Sequence, residues 1–341
     1  MPEVESLTGY VARLAQAHSV STGTLFSEVL VPRLGRPYLE VRAEVGLSSM
    51  WRSSRAMNGT LTWARDMVAA LEAVTGRGEL RFLTMLPWAA VLDWKGLFRE
   101  SRAWCAACYN EWRQQGKPIY EALVWTIGPV VMCPKHRQTL ETRCPHPGCG
   151  RSLPFLSTRS RPGFCSRCHG WLGQELRPDS GRTAGERESR EEWITRAVGQ
   201  LLAAGPGLEA APTHELIAES IFRCARVLTR GFVSKLARLC GIDRETVYQW
   251  LRGTSPGINM LLRACWHMGV SPAEFLTRPD SMTPTSAAIP NSVNDGWPNT
   301  PHRRRPREAV AIRHQLAALI EAHRPRSTPK TGHRSTPQNR P

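Results

Sequence analysis

Seven cysteines and one histidine in the middle of this 341-residue chain have the spacing of metal ligands. They form four close pairs along the sequence, which are Cys105 with Cys108, Cys133 with His136, Cys144 with Cys149, and Cys165 with Cys168. A C-x-x-C or C-x-x-H turn directs two soft donors at one point, so two such turns complete a tetrahedron around one Zn²⁺. The four pairs therefore predict two zinc ions, the first held by the first two pairs and the second by the last two.

These predicted zinc sites have a structural character. All four positions around each ion are taken by protein ligands, which leaves none for a reactive water. His146 and His169 lie beside the last two pairs and offer alternative donors for the fourth ligand of the second site. Cys224, Cys240 and Cys265 have no such partners, and we expect them to be small core residues.

Disulfides or ordinary buried thiols are the alternative reading of these cysteines. Disulfides form in oxidising compartments, whereas the segment Met1–Glu5 contains acidic residues and shows no basic start followed by an apolar stretch. No uninterrupted apolar run approaches the roughly 20 residues that cross a bilayer. We therefore expect a cytoplasmic, reducing environment, which favours metal binding over disulfides.

The charge of the chain points towards nucleic acid. The formal net charge is +16 and the pI is about 10.1, and only five of the 45 basic residues are lysine. The planar fork of arginine matches phosphate oxygens and guanine edges. A GC-rich genome also replaces lysine with arginine, which would account for the ratio of the two residues but not for the net charge.

Helices are predicted before the ligand pairs, and a hairpin between them. Hydroxyl caps and apolar spacing predict helices over residues 6–17 and from Ser21, followed by helices at about 48–57 and 61–74. Residues 122–132 are rich in strand formers, which favours a zinc-ribbon hairpin.

The second half of the chain is predicted to contain a linker, a helical domain and a tail. Residues 177–189 are polar, a helix is expected at about 191–203, and residues 214–277 have a compact helical pattern. Beyond Arg278 the composition is typical of disorder, apart from a short helix expected at 307–322. The predicted divisions are a helical N-terminal part (1–98), a double zinc module (99–172), a linker with one helix (173–213), a DNA-binding domain (214–278) and a basic tail (279–341).

Residues 229–253 carry the pattern of a helix-turn-helix. Gly241 permits a left-handed turn, Asp243 caps the next helix, and Val247, Trp250 and Leu251 give that helix an inward face. The two helices that follow complete the order of a lambda-repressor-like domain. The alternative is a helical hairpin that only packs or binds protein. The candidate DNA contacts are Arg230, Lys235, Arg244, Glu245, Thr246, Tyr248, Gln249 and Arg252.

The order of these parts resembles the TniQ family of transposon target-selection proteins. The likeness is carried by residues 5–15, by Trp104-Cys-Ala-Ala-Cys108, by Met132-Cys-Pro-Lys-His136, and by the second ligand set from Cys144. It extends over about residues 3–172. One departure is the four-residue spacing between Cys144 and Cys149, where the family more often has C-x-x-C.

The resemblance implies a non-catalytic adaptor. Such a protein marks a target site on double-stranded DNA, either by binding the DNA itself or through another targeting complex. It recruits an AAA+ ATPase of the TniB type, and through it a DDE transposase of the TniA type. The helical N-terminal region would dock the ATPase, with Arg13 as the candidate contact. Nucleotide hydrolysis is left to the partner, because Gly116-Lys117 continues into Pro118 and is no phosphate-binding loop.

Two other classes of function remain open at the level of the sequence. A zinc-containing helix-turn-helix transcription regulator would share the basic charge and the helical domain. A zinc-dependent nuclease would need an open metal position and a nearby carboxylate or histidine base, whereas both inferred sites are filled.

Overall fold

The computed structural model describes residues 4–36, 48–175, 188–285 and 297. The predicted linker at 177–189 lies mostly outside the described residues, and the predicted tail helix at 307–322 lies wholly outside them. The α-helices of the described residues are α1 (Leu7–Ala17), α2 (Thr22–Thr24), α3 (Ser48–Arg52), α4 (Thr62–Thr75), α5 (Ala106–Gln114), α6 (Arg190–Ala204), α7 (His214–Thr229), α8 (Val233–Leu239), α9 (Arg244–Leu251), α10 (Ile258–Met268) and α11 (Pro272–Thr277).

The N-terminal helices begin where the caps predict. The side chain of Ser6 accepts a hydrogen bond from the backbone N–H of Gly9, and α1 buries Leu7 and Val11 completely. Ser21 caps α2 in the same way, and that helix continues into a π-helical turn over Leu25–Leu30. The buried faces of α1, this π-helical turn and α4 meet in one apolar core.

The predicted hairpin at 122–132 is wrong. Residues Leu123–Thr126 form a 3₁₀ turn, in which Oγ1 of Thr126 also donates a hydrogen bond to the carbonyl of Leu123. Every residue from Glu121 to Ile127 is buried, so the segment has no solvent face of the kind a hairpin presents. Only isolated β-bridges occur among the described residues, for example between Met132 and Thr139. The predicted helix at 48–57 is likewise split into α3 and a 3₁₀ turn over Ser54–Asn58.

The C-terminal half is helical, as predicted. Helix α6 begins with a capping box in which Ser189 and Glu192 bond reciprocally to each other's backbone N–H. Between α8 and α9 the chain turns through Gly241, whose φ is +60°, and the side chain of Asp243 accepts from the N–H of Glu245. Val247 and Trp250 of α9 are buried.

These C-terminal helices pack directly on earlier parts of the chain. The backbone N–H of Asp93 donates to the carbonyl of Pro256 at 3.0 Å, and Oγ of Ser255 donates to the carbonyl of Ala90 at 3.3 Å. On α6, the Trp193 ring packs edge-on against that of Trp266 at 5.2 Å. The described residues up to 285 therefore belong to one compact unit. None of the described helices combines the length and apolarity that a bilayer crossing would need.

Candidate functional site

The first ligand set is brought together by the start of α5 and a turn after residue 132. Cys105 is the N-cap of α5 and Cys108 lies in its first turn, while Cys133 and His136 occupy a turn closed between Met132 and Thr139. The four donor atoms lie within 4.8 Å of one another. All three cysteines are buried.

The distances in this cluster fit a single tetrahedral ion. Ligand bonds of the length zinc makes would place two sulfurs about 3.8 Å apart, and a sulfur and an imidazole nitrogen about 3.5 Å apart. The sulfurs of Cys108 and Cys133 are 3.6 Å apart, and Nδ1 of His136 lies 3.2 Å from Cys108, 3.4 Å from Cys105 and 3.8 Å from Cys133. A disulfide would need about 2.05 Å. The cluster could therefore hold one metal ion with Nδ1 as its nitrogen ligand.

A carboxylate orients the imidazole of this site. Nε2 of His136, on the side away from the sulfurs, lies 3.1 Å from Oε2 of Glu111, and Glu111 also pairs with Lys135. The hydrogen bond from Lys135 is the first cause of the lowered pKa of Glu111, so the carboxylate is ionised and accepts a hydrogen bond from Nε2–H of His136. Metal-bound histidines are commonly held in this way. Glu111 was not among the predicted site residues, although its position three residues after Cys108 places it near the cluster on α5.

The second set consists of four cysteine sulfurs, again within 4.8 Å of one another. Those of Cys144 and Cys168 are 3.6 Å apart and those of Cys149 and Cys165 are 3.9 Å apart. Neither alternative histidine belongs to this set. Nε2 of His146 is bonded to the carbonyl of Trp171 at 2.7 Å, and His169 is exposed in a left-handed conformation.

Local hydrogen bonds favour one thiolate in each cluster, whereas the pKa values of Cys108, Cys133, Cys144 and Cys168 are raised. In the first, hydrogen bonds from the thiols of Cys108 and Cys133 lower the pKa of Cys105 to about 4. In the second, burial raises the pKa of Cys165, but the backbone N–H groups of Cys168 and Arg167 outweigh it and lower that pKa to about 7. Because the thiolate is the form that binds a metal ion, both clusters hold a ligand that is readily deprotonated at neutral pH.

The two clusters differ in their exposure to solvent. The cysteines of the first are buried, whereas Cys168 of the second is exposed and Cys149 is partly exposed. A bound ion would therefore be more accessible to a chelator at the second cluster.

A buried arginine joins the surroundings of the two clusters. Nε of Arg102 donates to Glu121 at 2.9 Å, one of its terminal nitrogens lies 3.0 Å from the hydroxyl of Tyr109, and another donates to the carbonyl of Phe164 at 3.2 Å. Tyr109 follows a ligand of the first cluster and Phe164 precedes a ligand of the second. Burial alone would lower the pKa of Arg102, but the charge of Glu121 and the contact with Tyr109 outweigh it, and the pKa is raised. Arg102 thus stays charged and connects the two halves of the metal-binding region.

The candidate DNA contacts lie on α7–α9 and at their ends. Thr246 and Tyr248 are partly buried, and Arg230 is in the left-handed conformation that ends α7. Arg252 donates to Glu245 at 2.9 Å across the outer face of α9. The candidates with exposed side chains are Arg230, Lys235, Arg244, Glu245, Gln249 and Arg252. The structure thus places a polar and largely basic face beside the buried Val247 and Trp250.

The candidate partner contact on α1 is occupied by an internal ion pair. Nε and a terminal nitrogen of Arg13 bond to the two carboxylate oxygens of Glu5 at 2.9 and 2.6 Å. The Arg13 side chain is still partly exposed.

Comparison with known protein families gives a match in the first part of the chain. Residues 1–140 match the sequence model of the TniQ family. The matched stretch contains the first ligand set and ends before Cys144, so the second cluster and the C-terminal helices lie beyond it. No curated protein matches the chain.

Proposed function

Because residues 1–140 belong to the TniQ family, we propose that this chain is a non-catalytic adaptor for transposition that binds target DNA and recruits an AAA+ ATPase. The family match carries this proposal. The ATPase, of the TniB type, would in turn engage a DDE transposase of the TniA type. The chain's own chemistry agrees with an adaptor, because each metal cluster has four protein donors and so presents a filled site.

In this proposal the metal is zinc and its role is structural. The first cluster offers three thiolates and one imidazole, and the second offers four thiolates. Both donor sets are those of structural zinc sites. Each ion would join segments that are distant in sequence and have no extended sheet between them. The ions would thereby hold the N-terminal region in the shape that the partner recognises.

Target DNA would be bound by α8 and α9 in the manner of a helix-turn-helix. Three features support this assignment: the turn through Gly241, the cap at Asp243 and the exposed polar face of α9. Arg244 at the start of α9 and Gln249, five residues later, are suited to base edges. Arg230 and Lys235 would contact phosphates.

The ATPase would dock on the N-terminal region, with Arg13 as one contact. Since Arg13 is bonded to Glu5, the partner would meet a preformed ion pair and not a free cation. A neutral pair, Glu5→Gln with Arg13→Gln, therefore tests the contact without leaving one buried charge unpaired. Arg33→Gln, an exposed change in the same region, serves as the control.

The test uses the full-length chain, because residues 90–93 and 255–256 are bonded to each other and separate fragments would lose that contact. The chain is first used to select duplexes from a random library. The co-encoded ATPase, with nucleotide, is then added to the selected DNA. We expect the selection to enrich a particular DNA sequence. The ATPase should be retained on this DNA only when the chain is present, and the Glu5→Gln, Arg13→Gln double variant should retain less of it than Arg33→Gln does.

Two results would contradict the proposal. Absence of any enriched DNA would remove the target-binding function. Binding of a dimer to a palindrome without any retention of the ATPase would instead identify a zinc-containing transcription regulator.

A further inference from the structure

The segment around the second metal cluster has an unusual charge. Between residues 142 and 174 the chain contains no aspartate, glutamate or lysine, yet it contains five arginines, all of them exposed. They are Arg143, Arg151, Arg159, Arg161 and Arg167. We call residues 142–174 the arginine module.

The rest of the metal-binding region does not share this property. Residues 48–141 contain eight carboxylates. Several of these neutralise neighbouring cations, as in the pairs Arg102 with Glu121 and Lys135 with Glu111. No ion pair joins any of the five arginines of the module to another described residue. Within the part of the chain that the structure describes, their charges are therefore not neutralised by a carboxylate.

Three of the arginines lie on the two loops that carry the second cluster. The carbonyl of Arg151 accepts from the N–H of Cys144 at 3.0 Å, and the guanidinium of Arg143 donates to the carbonyl of Gly150 at 3.1 Å. The N–H of Arg167 lies 3.4 Å from the sulfur of Cys165. Since the four sulfurs lie within 4.8 Å of one another, the backbone places these three residues around one cluster.

Aromatic rings hold further guanidinium groups in the same area. The guanidinium of Arg161 lies 4.1 Å from the centre of the Phe164 ring, and that of Arg113, from α5, lies 4.9 Å from the centre of the Trp171 ring. Phe164 and Trp171 are themselves joined by a β-bridge. Stacking on a ring restrains a guanidinium and leaves its N–H groups free to bond outward.

The charge remains positive when the cluster is counted. Four thiolates around a divalent ion carry two negative charges, which are fewer than the five positive charges of the module. At physiological salt, the screening length is about 8 Å, so each exposed guanidinium group interacts electrostatically mainly with charges close to it.

We propose that the arginine module is a second DNA-binding surface, which contacts the phosphates of duplex DNA. This inference rests on the proposed function, since it takes duplex DNA as the ligand. Arginine pairs with phosphate through two parallel hydrogen bonds. Phosphate contacts of this kind add affinity and set orientation, and they carry no sequence information.

The surface chemistry favours DNA over an acidic protein. Stable protein interfaces have an apolar core. None of the large apolar side chains that are exposed in the described part of the chain falls within residues 142–174. A surface of arginines without exposed apolar groups suits a phosphate backbone.

The experiment compares the salt dependence of duplex binding between two triple variants of the full-length chain. One carries Arg143→Gln, Arg151→Gln and Arg167→Gln. The control carries Arg52→Gln, Arg65→Gln and Arg77→Gln, which remove the same formal charge from exposed positions outside the module. Metal content and melting temperature are measured for both variants, so that a loss of folding is recognised.

For the module variant we expect the slope of log K against log salt to fall by about 2.7, since each phosphate contact contributes about 0.9. Between 50 and 200 mM salt the wild type should then lose roughly 40-fold more affinity than this variant does. The discrimination between selected and random duplexes should be unchanged. The control variant should keep the wild-type slope.

Other outcomes overturn the inference. An unchanged slope in a folded, metal-loaded module variant shows that the arginines do not contact DNA, and leaves the proposed function intact if Arg244→Ala still loses discrimination. Single-stranded RNA of equal length is tested as well. If the wild type binds this RNA more tightly than the duplex, and the module variant no longer binds it, the ligand of the module is RNA and not duplex DNA. Failure of the wild type to bind DNA overturns both this inference and the proposed function.

Discussion

Nε2 of His136 lies 3.1 Å from Oε2 of Glu111, on the side of the ring opposite to the nitrogen that faces three cysteine sulfurs. The carboxylate therefore fixes both the tautomer and the orientation of the imidazole. It also connects the turn that carries His136 to helix α5, which carries Cys108.

We expect Glu111→Ala to weaken metal binding at the first cluster by about 10- to 100-fold, the usual cost of losing such a partner. Competition against a chelator measures this, and only one of the two bound ions should be affected. Gln115→Ala is the matched control, because Gln115 bonds to Glu111 but not to the histidine. Equal weakening of both ions would mean that Glu111 acts on the fold and not on its neighbouring site.

The purified protein should contain about two zinc ions per chain, and the second cluster should release its ion first. Cys168 is exposed, whereas the cysteines of the first cluster are buried. Elemental analysis and the time course of chelation test both statements.

Substitution of single cysteines tests the ligand assignment. Cys168→Ser and Cys133→Ser should each reduce the zinc content to about one ion per chain, whereas Cys224→Ser should retain two. One ion or fewer in intact, freshly purified protein contradicts the two-site assignment.

Replacement of Arg102 should destabilise the protein strongly. Arg102→Met leaves the buried carboxylate of Glu121 without its cation, a loss that costs about 3–5 kcal/mol. Chemical denaturation measures the change in the free energy of unfolding. Adding Glu121→Gln to Arg102→Met should recover part of the loss, since the uncompensated charge is then gone. If the double variant is as unstable as the single one, lost packing and hydrogen bonds are the larger cause.

Arg244→Ala or Gln249→Ala should reduce the discrimination between selected and random duplexes by about 1–3 kcal/mol. Removing the residues after Thr285 should instead weaken binding to all sequences alike, because phosphate contacts are independent of sequence. The truncation point follows from the structure: Met282 is buried, and the N–H of Thr285 donates to the carbonyl of Met268. Titrations of both duplexes over a range of salt separate the two effects. Equal losses on both duplexes in the α9 variants would contradict the proposal that α9 is a recognition helix.

Local patterns were sufficient to predict part of this structure. Ligand spacing predicted both clusters, and the caps at Ser6, Ser21 and Asp243 predicted the starts of helices, because these features depend on neighbours within a few residues. The pairing of Arg102 with Glu121 was not predictable in the same way, since it requires the tertiary fold.

The error at 122–132 has a related cause. Branched and aromatic residues suit a strand on one buried face, but they equally fill a segment that is buried on all sides. Trp125 packs against the rings of Tyr109 and Trp112, which belong to α5. The segment is thus shaped by its surroundings and not by pairing with a neighbouring strand.

The contact between Asp93 and Pro256 bears on attempts to redirect the protein by exchanging its C-terminal helices with those of a relative. The loop after α9 is hydrogen-bonded to residues 90–93. In a chimaera joined in the segment before α6, the relative's loop would therefore have to pack against this protein's own residues 90–93. A chimaera that carries its own version of residues 88–95 should fold better than one with a single junction. Retargeting would therefore require two grafts, one in each half of the chain.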